Sequence, residues 1–170
     1  RTFFPAMPYA SYAAMSDDDL DAIIAYLRTI PAVKSPNAKR ELPPPVEAML
    51  RPLSDGGPVA APDVSTPVKR GAYLAKIGDC ISCHTPVNGM GAPVTELAYS
   101  GGFTLKGPWG RVASSNLTPD PSGLPYYDDV MFLGAFKGGN PGGRKLNAIM
   151  PWGYYAGMEE EDALAIYAWM

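Results

Sequence analysis

Histidine occurs once and cysteine twice in the 170 residues of this chain. Three such groups fall short of the four ligands that a structural zinc site takes. Positive charge is also sparse: 14 Lys and Arg stand against 17 Asp and Glu, for a net charge of −3 and a pI near 5.1. With no run of basic residues, neither nucleic acid nor anionic lipid is an expected partner. Long apolar runs are missing too. Proline, glycine or a charge interrupts each one well before the roughly 20 residues needed to cross a bilayer, so no membrane-spanning segment is expected within the chain. The first ten residues, RTFFPAMPYA, lack both an initial Met and the charged-then-apolar pattern of an export signal, and so carry no information on export. They read as the middle of something longer.

What is abundant is proline and glycine, 19 and 18 residues beside 46% apolar content. That mixture predicts short helices joined by long ordered loops rather than disorder. The scarce groups are also gathered together: Cys80, Cys83 and His84 lie within five residues, in the string GDCISCHTP. A thioredoxin-like dithiol pair is expected between a strand and a helix in an alternating β/α pattern, and no such pattern surrounds these cysteines. A disulfide between Cys80 and Cys83 would close too small a loop to stabilise much and leaves His84 without a role. Cys-x-x-Cys-His is the signature of covalent haem attachment. Two thiols one helical turn apart add across the two vinyl groups, and the adjacent imidazole becomes the proximal ligand of the iron.

A six-coordinate haem needs a second axial ligand, and without another His the candidates are methionines. Met49 falls in a linker, Met131 in an apolar helix, and Met90 stands only six residues beyond His84. Core filling or surface contact is the expected role of most methionines. Met150 opens a Met-Pro-Trp loop ahead of the final helix and stands 66 positions beyond His84, enough chain to wrap a ring. It is the expected distal ligand, with Met158 as the alternative.

The Met-Pro segment belongs to an internal repeat. FPAMPYASYAAMSDDDLDAIIAYL, 4–27, aligns without gaps on NAIMPWGYYAGMEEEDALAIYAWM, 147–170, pairing Met7 with Met150, Tyr12 with Tyr155 and Met15 with Met158. In the first copy Ser16 is a predicted N-cap with Asp19 three residues on, followed by Leu20, Ile23, Ile24 and Leu27 at helical spacing. The second copy places Ala163, Ile166, Tyr167 and Met170 on the same stripe. The expected organisation is the C-terminal part of a first domain over 1–42, a proline-rich linker over 43–66, and a second domain over 67–170 whose last helix is cut short. Helices are expected from Pro67, capped by Ser65 or Thr66, to about Gly78, and from about Asp128 to Lys137, with a short hairpin around GGFTLKGPWGRV. Gly71 is expected to let the first helix of that domain cross the last one closely, near Trp169. The acidic runs SDDDLD and MEEED are expected at helix N-termini, where they match the helix dipole.

GAYLAKIGDCISCHTP, GPWGRVASSNLTPDPSG and the doubled Met-Pro segment together resemble the class I c-type cytochromes. More closely, they resemble the multi-haem cytochrome c subunits of bacterial membrane-associated dehydrogenases that oxidise alcohols, aldehydes or gluconate. The resemblance covers most of the chain outside the proline-rich linker. It implies an all-α cytochrome c fold, in tandem domains of which the first is truncated. It also implies Cys80 and Cys83 as thioether donors to haem c, His84 and Met150 as axial ligands, and Met7 as the axial ligand of a further haem in the first domain. Trp109, Arg111, Asn116 and Trp152 are then expected along the haem pocket, the first three near the propionates. The implied function is periplasmic electron transfer, from a dehydrogenase subunit towards quinone or a terminal oxidase, by a carrier rather than an enzyme. The competing expectation is a haem enzyme of the dihaem peroxidase or thiosulfate-oxidising kind, whose active haem would lie in a domain upstream. A purely structural module acting through its prolines is a third, and would be colourless.

Overall fold

The computed structural model describes residues 7–36, 38–39, 41–44 and 57–170. Met49 and half of the proline-rich stretch, 45–56, lie outside the described residues. The chain divides into two compact units, Arg1–Pro62 and Asp63–Met170.

In the first unit a single-turn helix α1, Tyr9–Tyr12, precedes α2, Asp17–Leu27. Ser16 starts α2 as the capping pattern predicts. Its Oγ accepts the Asp19 N–H at 3.2 Å and donates to Asp19 Oδ2 at 2.7 Å, and Asp17, Asp18 and Asp19 fill the positive first turn. Asp17 also ties the helix start to Val59, its N–H donating to the Val59 carbonyl and its carboxylate accepting the Val59 N–H, each at 3.1 Å. Leu20, Ile23, Ile24 and Leu27, the apolar stripe of α2, are exposed.

The second unit begins with α3, Pro67–Ile77. Thr66 caps it, with Oγ1 accepting the Lys69 N–H at 3.3 Å, and Pro67 takes the first helical position, where its missing N–H costs nothing. After it come the short helix α4, Cys80–His84, a 3₁₀ turn at Thr95–Leu97, strands β1, Thr104–Gly107, and β2, Gly110–Ala113, then α5, Asp129–Gly138, α6, Trp152–Tyr155, and α7, Glu160–Trp169. The α3, α5 and α7 helices enclose the core, built from Ala75, Leu124, Phe132, Ala135, Phe136, Ala163 and Ile166. Phe132 stacks on Phe136 at 5.0 Å and on Tyr167 at 4.7 Å. Two small residues of α3, Gly71 and Ala75, are buried where it meets α7, and Arg70 pairs with Asp162 across that crossing. The close approach falls at Ala165 and Ile166 of α7 rather than near Trp169.

Beside the helices stands the short hairpin expected around GGFTLKGPWGRV: β1 and β2 pair antiparallel in the register Thr104↔Ala113 to Gly107↔Gly110. Pro108 and Trp109 form the two-residue turn between paired glycines, and the Trp109 ring lies over Gly107, where any side chain would collide with it. Short alternating segments on both sides of such a turn pair locally whatever the class of the surrounding fold.

Candidate haem site

The α3 helix stops at Gly78, whose N–H still donates to Leu74 O at 2.8 Å. Asp79 then takes a left-handed conformation, φ +57, which turns the chain sharply into α4. Ser82 supports the turn, donating its N–H to the Asp79 carbonyl at 3.2 Å and its hydroxyl to Asp79 Oδ1 at 2.7 Å. Cys80 and Cys83 follow one helical turn apart as free thiols, Cys80 packed against the core and Cys83 exposed. Burial pushes the Cys80 thiol up to about 11; it also raises Cys83, to which the Asp79 carboxylate adds.

His84 is the last residue of α4, and its Nδ1 lies 2.7 Å from the Ser115 carbonyl oxygen. A carbonyl only accepts, so Nδ1 carries the proton and Nε2 presents its lone pair. Burial lowers the imidazole's affinity for a second proton, and the bond to Ser115 opposes this in part. Neutral, oriented by its far nitrogen and with Nε2 available, this imidazole has the form of a metal ligand. The Thr85 to Ser100 stretch folds back on it: buried Thr85 accepts the Tyr99 N–H on Oγ1 at 3.2 Å, and Gly101 N–H donates to His84 O at 2.7 Å. Tyr99 itself holds a left-handed backbone, φ +64, and meets Trp169 edge to face at 5.2 Å.

Met150 is half-buried in a turn that Asn147 organises, with Ile149 N–H donating to Asn147 Oδ1 at 2.9 Å and Met150 N–H to Asn147 O at 3.1 Å. Its carbonyl accepts the Trp152 N–H at 2.7 Å. Met158, by contrast, packs against the core, and its carbonyl accepts from Lys137 Nζ at 2.5 Å. Tyr155 connects the Met150 segment to the cysteines: its hydroxyl lies 3.2 Å from the Gly78 carbonyl, two residues before Cys80. Met90 is 90% exposed in a turn, and Met7, in the other unit, is exposed.

The expected pocket residues divide. The side chain of Trp152 is pressed on Gly139, whose Cβ, if present, would stand 2.6 Å from Nε1. That Nε1 is buried and has no acceptor among the described residues. Asn116 is committed to its own loop, taking the Thr118 N–H at 2.8 Å and hydroxyl at 2.7 Å on Oδ1 and donating to Ser122 Oγ at 3.0 Å. Trp109 and Arg111 are exposed on the hairpin. Sequence reasoning did not single out Ser115, Gly101 or Tyr155. Tyr155 could have been found through its repeat partner Tyr12, whereas a backbone acceptor such as Ser115 O leaves no trace in sequence.

The donor set fits haem c: two thiols one turn apart, an imidazole with Nε2 available, a thioether on the Met150 turn, and a buried indole N–H lacking an acceptor of the kind a haem carboxylate provides. Among the described residues no three or more His, Cys, Asp and Glu groups gather as a metal-ion site.

No protein-family profile matches the chain. Over 104 residues, 60% of this chain, it is 38% identical to the cytochrome c subunit of the quinone-type alcohol dehydrogenase of Gluconacetobacter polyoxogenes, covering 21% of that protein. Over 104 residues it is also 38% identical to the gluconate 2-dehydrogenase cytochrome c subunit of Pantoea cypripedii, covering 22% of it. The chain is a relative of the dehydrogenase cytochrome c subunits. A dihaem c-type cytochrome of Cereibacter sphaeroides matches the chain at 32% identity over 124 residues, 69% of the chain and 41% of that protein. The chain thus spans about a fifth of the length of the first two relatives. No helix among its described residues is long and apolar enough to cross a membrane.

Proposed function

We propose that this chain carries electrons through haem c held by thioether bonds at Cys80 and Cys83, as part of a dehydrogenase complex in the periplasm. The observation that carries the reading is the His84 imidazole, fixed by Ser115 with Nε2 available and placed directly after two thiols one turn apart. His84 and Met150 would hold the iron, and Trp152 would donate its indole N–H to a haem carboxylate, satisfying a donor that is buried without a partner among the described residues. When bound, the haem supplies a one-electron iron couple, and a thioether ligand holds its potential higher than a second imidazole would. The chain's part is to fill both axial positions, so that no substrate enters the metal's coordination sphere, and to present the exposed Cys83 side to a partner. Trp109 and Arg111 border the pocket from the hairpin, and Asn116 shapes the loop beside it.

The domain reading belongs to the same proposal: 1–42 as the end of a first cytochrome c domain, 43–66 as linker and 67–170 as a second. In it Met7, aligned with Met150, serves a further haem. A dehydrogenase subunit is the proposed donor, and quinone or a terminal oxidase the acceptor. Intact mass and an optical spectrum of the native protein after acid denaturation test the haem reading. One haem remaining bound through Cys80 and Cys83 supports it. A haem-free mass returns the two cysteines to dithiol chemistry and removes the roles given to Met150 and Met7.

A further inference from the structure

The Ser115 peptide whose carbonyl orients His84 lies against a residue outside the Cys-x-x-Cys-His string. Gly101 has a left-handed backbone, φ +74, and donates its N–H to the His84 carbonyl at 2.7 Å. A Cβ on Gly101 would lie 2.5 Å from both the carbonyl carbon and the oxygen of Ser115, and 2.6 Å from Asn116 N. Gly101 therefore meets His84 at both ends. It holds the residue's main chain, and its bare Cα lies flush on the peptide that accepts the imidazole N–H. The neighbouring Gly102 is equally left-handed, φ +80, and donates to Ser114 O at 2.9 Å. Yet a Cβ there would meet nothing closer than Pro86 Cβ, at 4.0 Å.

We infer that Gly101 is a positioning residue for the iron: by admitting the Ser115 peptide it sets the length of the His84–Ser115 hydrogen bond, and so the donor strength of Nε2. The inference rests on the haem reading proposed above. A hydrogen bond from Nδ1 raises the basicity of the coordinating nitrogen, and a more basic ligand favours ferric over ferrous iron. Any side chain at 101 must push the Ser115–Asn116 peptide away by much of an ångström to reach ordinary contact. A bond starting at 2.7 Å then passes the roughly 3.2 Å at which N–H···O bonds weaken. The imidazole becomes a poorer donor, and the reduction potential rises.

The pair of glycines supplies its own control, because Gly101→Ala and Gly102→Ala carry the same left-handed strain and only the first meets Ser115. Three quantities are measured on the haem-loaded full chain: covalent haem after acid denaturation, the reduction potential, and the paramagnetically shifted His84 Nδ1–H resonance. The expected result is covalent haem in both variants, with a raised potential, a displaced resonance and faster solvent exchange of that proton in Gly101→Ala alone. Wild-type values in Gly101→Ala overturn the inference, and so do equal changes in both variants, which would assign the effect to loop strain; the haem reading survives either. A wild-type chain without covalent haem overturns that reading itself. If the alanine variants fail to accumulate, Asn at each position keeps the comparison, since it bears a Cβ yet tolerates left-handed backbone better than Ala.

Discussion

Replacing Gly71 by Ala sets two opposing effects against each other at the crossing of α3 and α7. In the middle of an exposed helix the change stabilises by about 1 kcal/mol, because Ala loses less backbone freedom on folding. At Gly71, however, a Cβ would fall inside the van der Waals envelope of the Ala165 carbonyl oxygen and 2.9 Å from Ile166 N. Both are main-chain atoms of α7 and cannot rotate aside, so the helices must part. Ala75 and Ala163, each 0% exposed, and Ile166, 2% exposed, lie along that seam. Overpacking a core costs about 1–3 kcal/mol where side chains can adjust, and a backbone collision belongs at or above the top of that range. The net expectation is a loss of about 2 kcal/mol. At roughly 4–8 °C per kcal/mol for a domain of about 100 residues, the midpoint should fall by roughly 10 °C, read by far-ultraviolet circular dichroism on the haem-loaded chain. Gly138→Ala is the control, at the last residue of α5, where an added Cβ would meet no atom within 4 Å, and should leave the midpoint unchanged or slightly raised. A Gly71→Ala chain that melts with the wild type, or a Gly138→Ala chain that falls as far, refutes the close-crossing argument.

Met150→Ala should retain covalent haem but bind carbon monoxide in the ferrous state. Met158→Ala should lower stability by about 2 kcal/mol, the low end for a Met truncated to Ala because the side chain is only partly buried against the core, and still exclude the gas; the reverse pattern would transfer the ligand role to Met158. Trp152→Phe keeps a ring over Gly139 and removes the donor, leaving the carboxylate charge less compensated. The reduction potential should fall and vary more with pH in spectroelectrochemical titration, and an unchanged profile would separate Trp152 from the haem carboxylates. Asp63, bonded to Lys69 Nζ at 2.6 Å and to Ser65, is held below the usual carboxylate range. Its contribution to stability is therefore present above its unfolded value of about 3.9 and is lost as pH falls towards its lower folded value. Asp63→Asn should be slightly less stable than the wild type at pH 7, by a margin that shrinks steadily as pH falls below about 4, and a difference that stays constant into acid would exclude the ion pair as its cause.

The readable parts of this chain are those decided within a few residues. Ser16 and Thr66 cap their helices because a hydroxyl three residues before a free N–H reaches it in almost any context. The hairpin follows from Gly-Pro-Trp-Gly, which places a turn between two short alternating segments. The Cys-x-x-Cys-His string shows its chemistry because side chains supply both the thiols and the imidazole. The other half of the imidazole's environment does not show, since Ser115 acts through a carbonyl that every residue possesses. Gly101 and Gly102 are adjacent identical letters, and only the approach of the Ser115–Asn116 peptide, in the loop after β2, separates them. Tyr99 is harder still: a bulky residue with φ +64 runs against local preference, and the packing of Trp169 and the bonds of its own main chain hold it there. Gly71 is legible as the point of close crossing, but its contact with Ala165 and Ile166 on α7 is not, because that depends on how far α7 slides along α3.

These placements divide the second unit into parts that hold the fold and parts that serve the proposed iron. Phe132, Phe136, Ile166 and Tyr167 bind α5 to α7, and Gly71 and Ala75 bring α3 against α7; none of these residues is a proposed ligand. The proposed ligands lie on turns and a short helix fastened to that frame at identifiable points. Gly101 and Ser115 fasten His84, while Lys137 and Tyr155 fasten the stretch that follows Met150. Lys137 Nζ donates to the carbonyls of both Ala156 and Met158, so Met158 is immobilised through its main chain as well as by its core contacts. Met150 stands eight residues earlier, ahead of α6, where its own turn with Asn147 governs its position. The repeat alone gives the two methionines equal standing, because both have counterparts in the first copy. Their anchoring separates them: a side chain that already packs against the core must forgo those contacts to coordinate iron, and one in a half-buried turn need not.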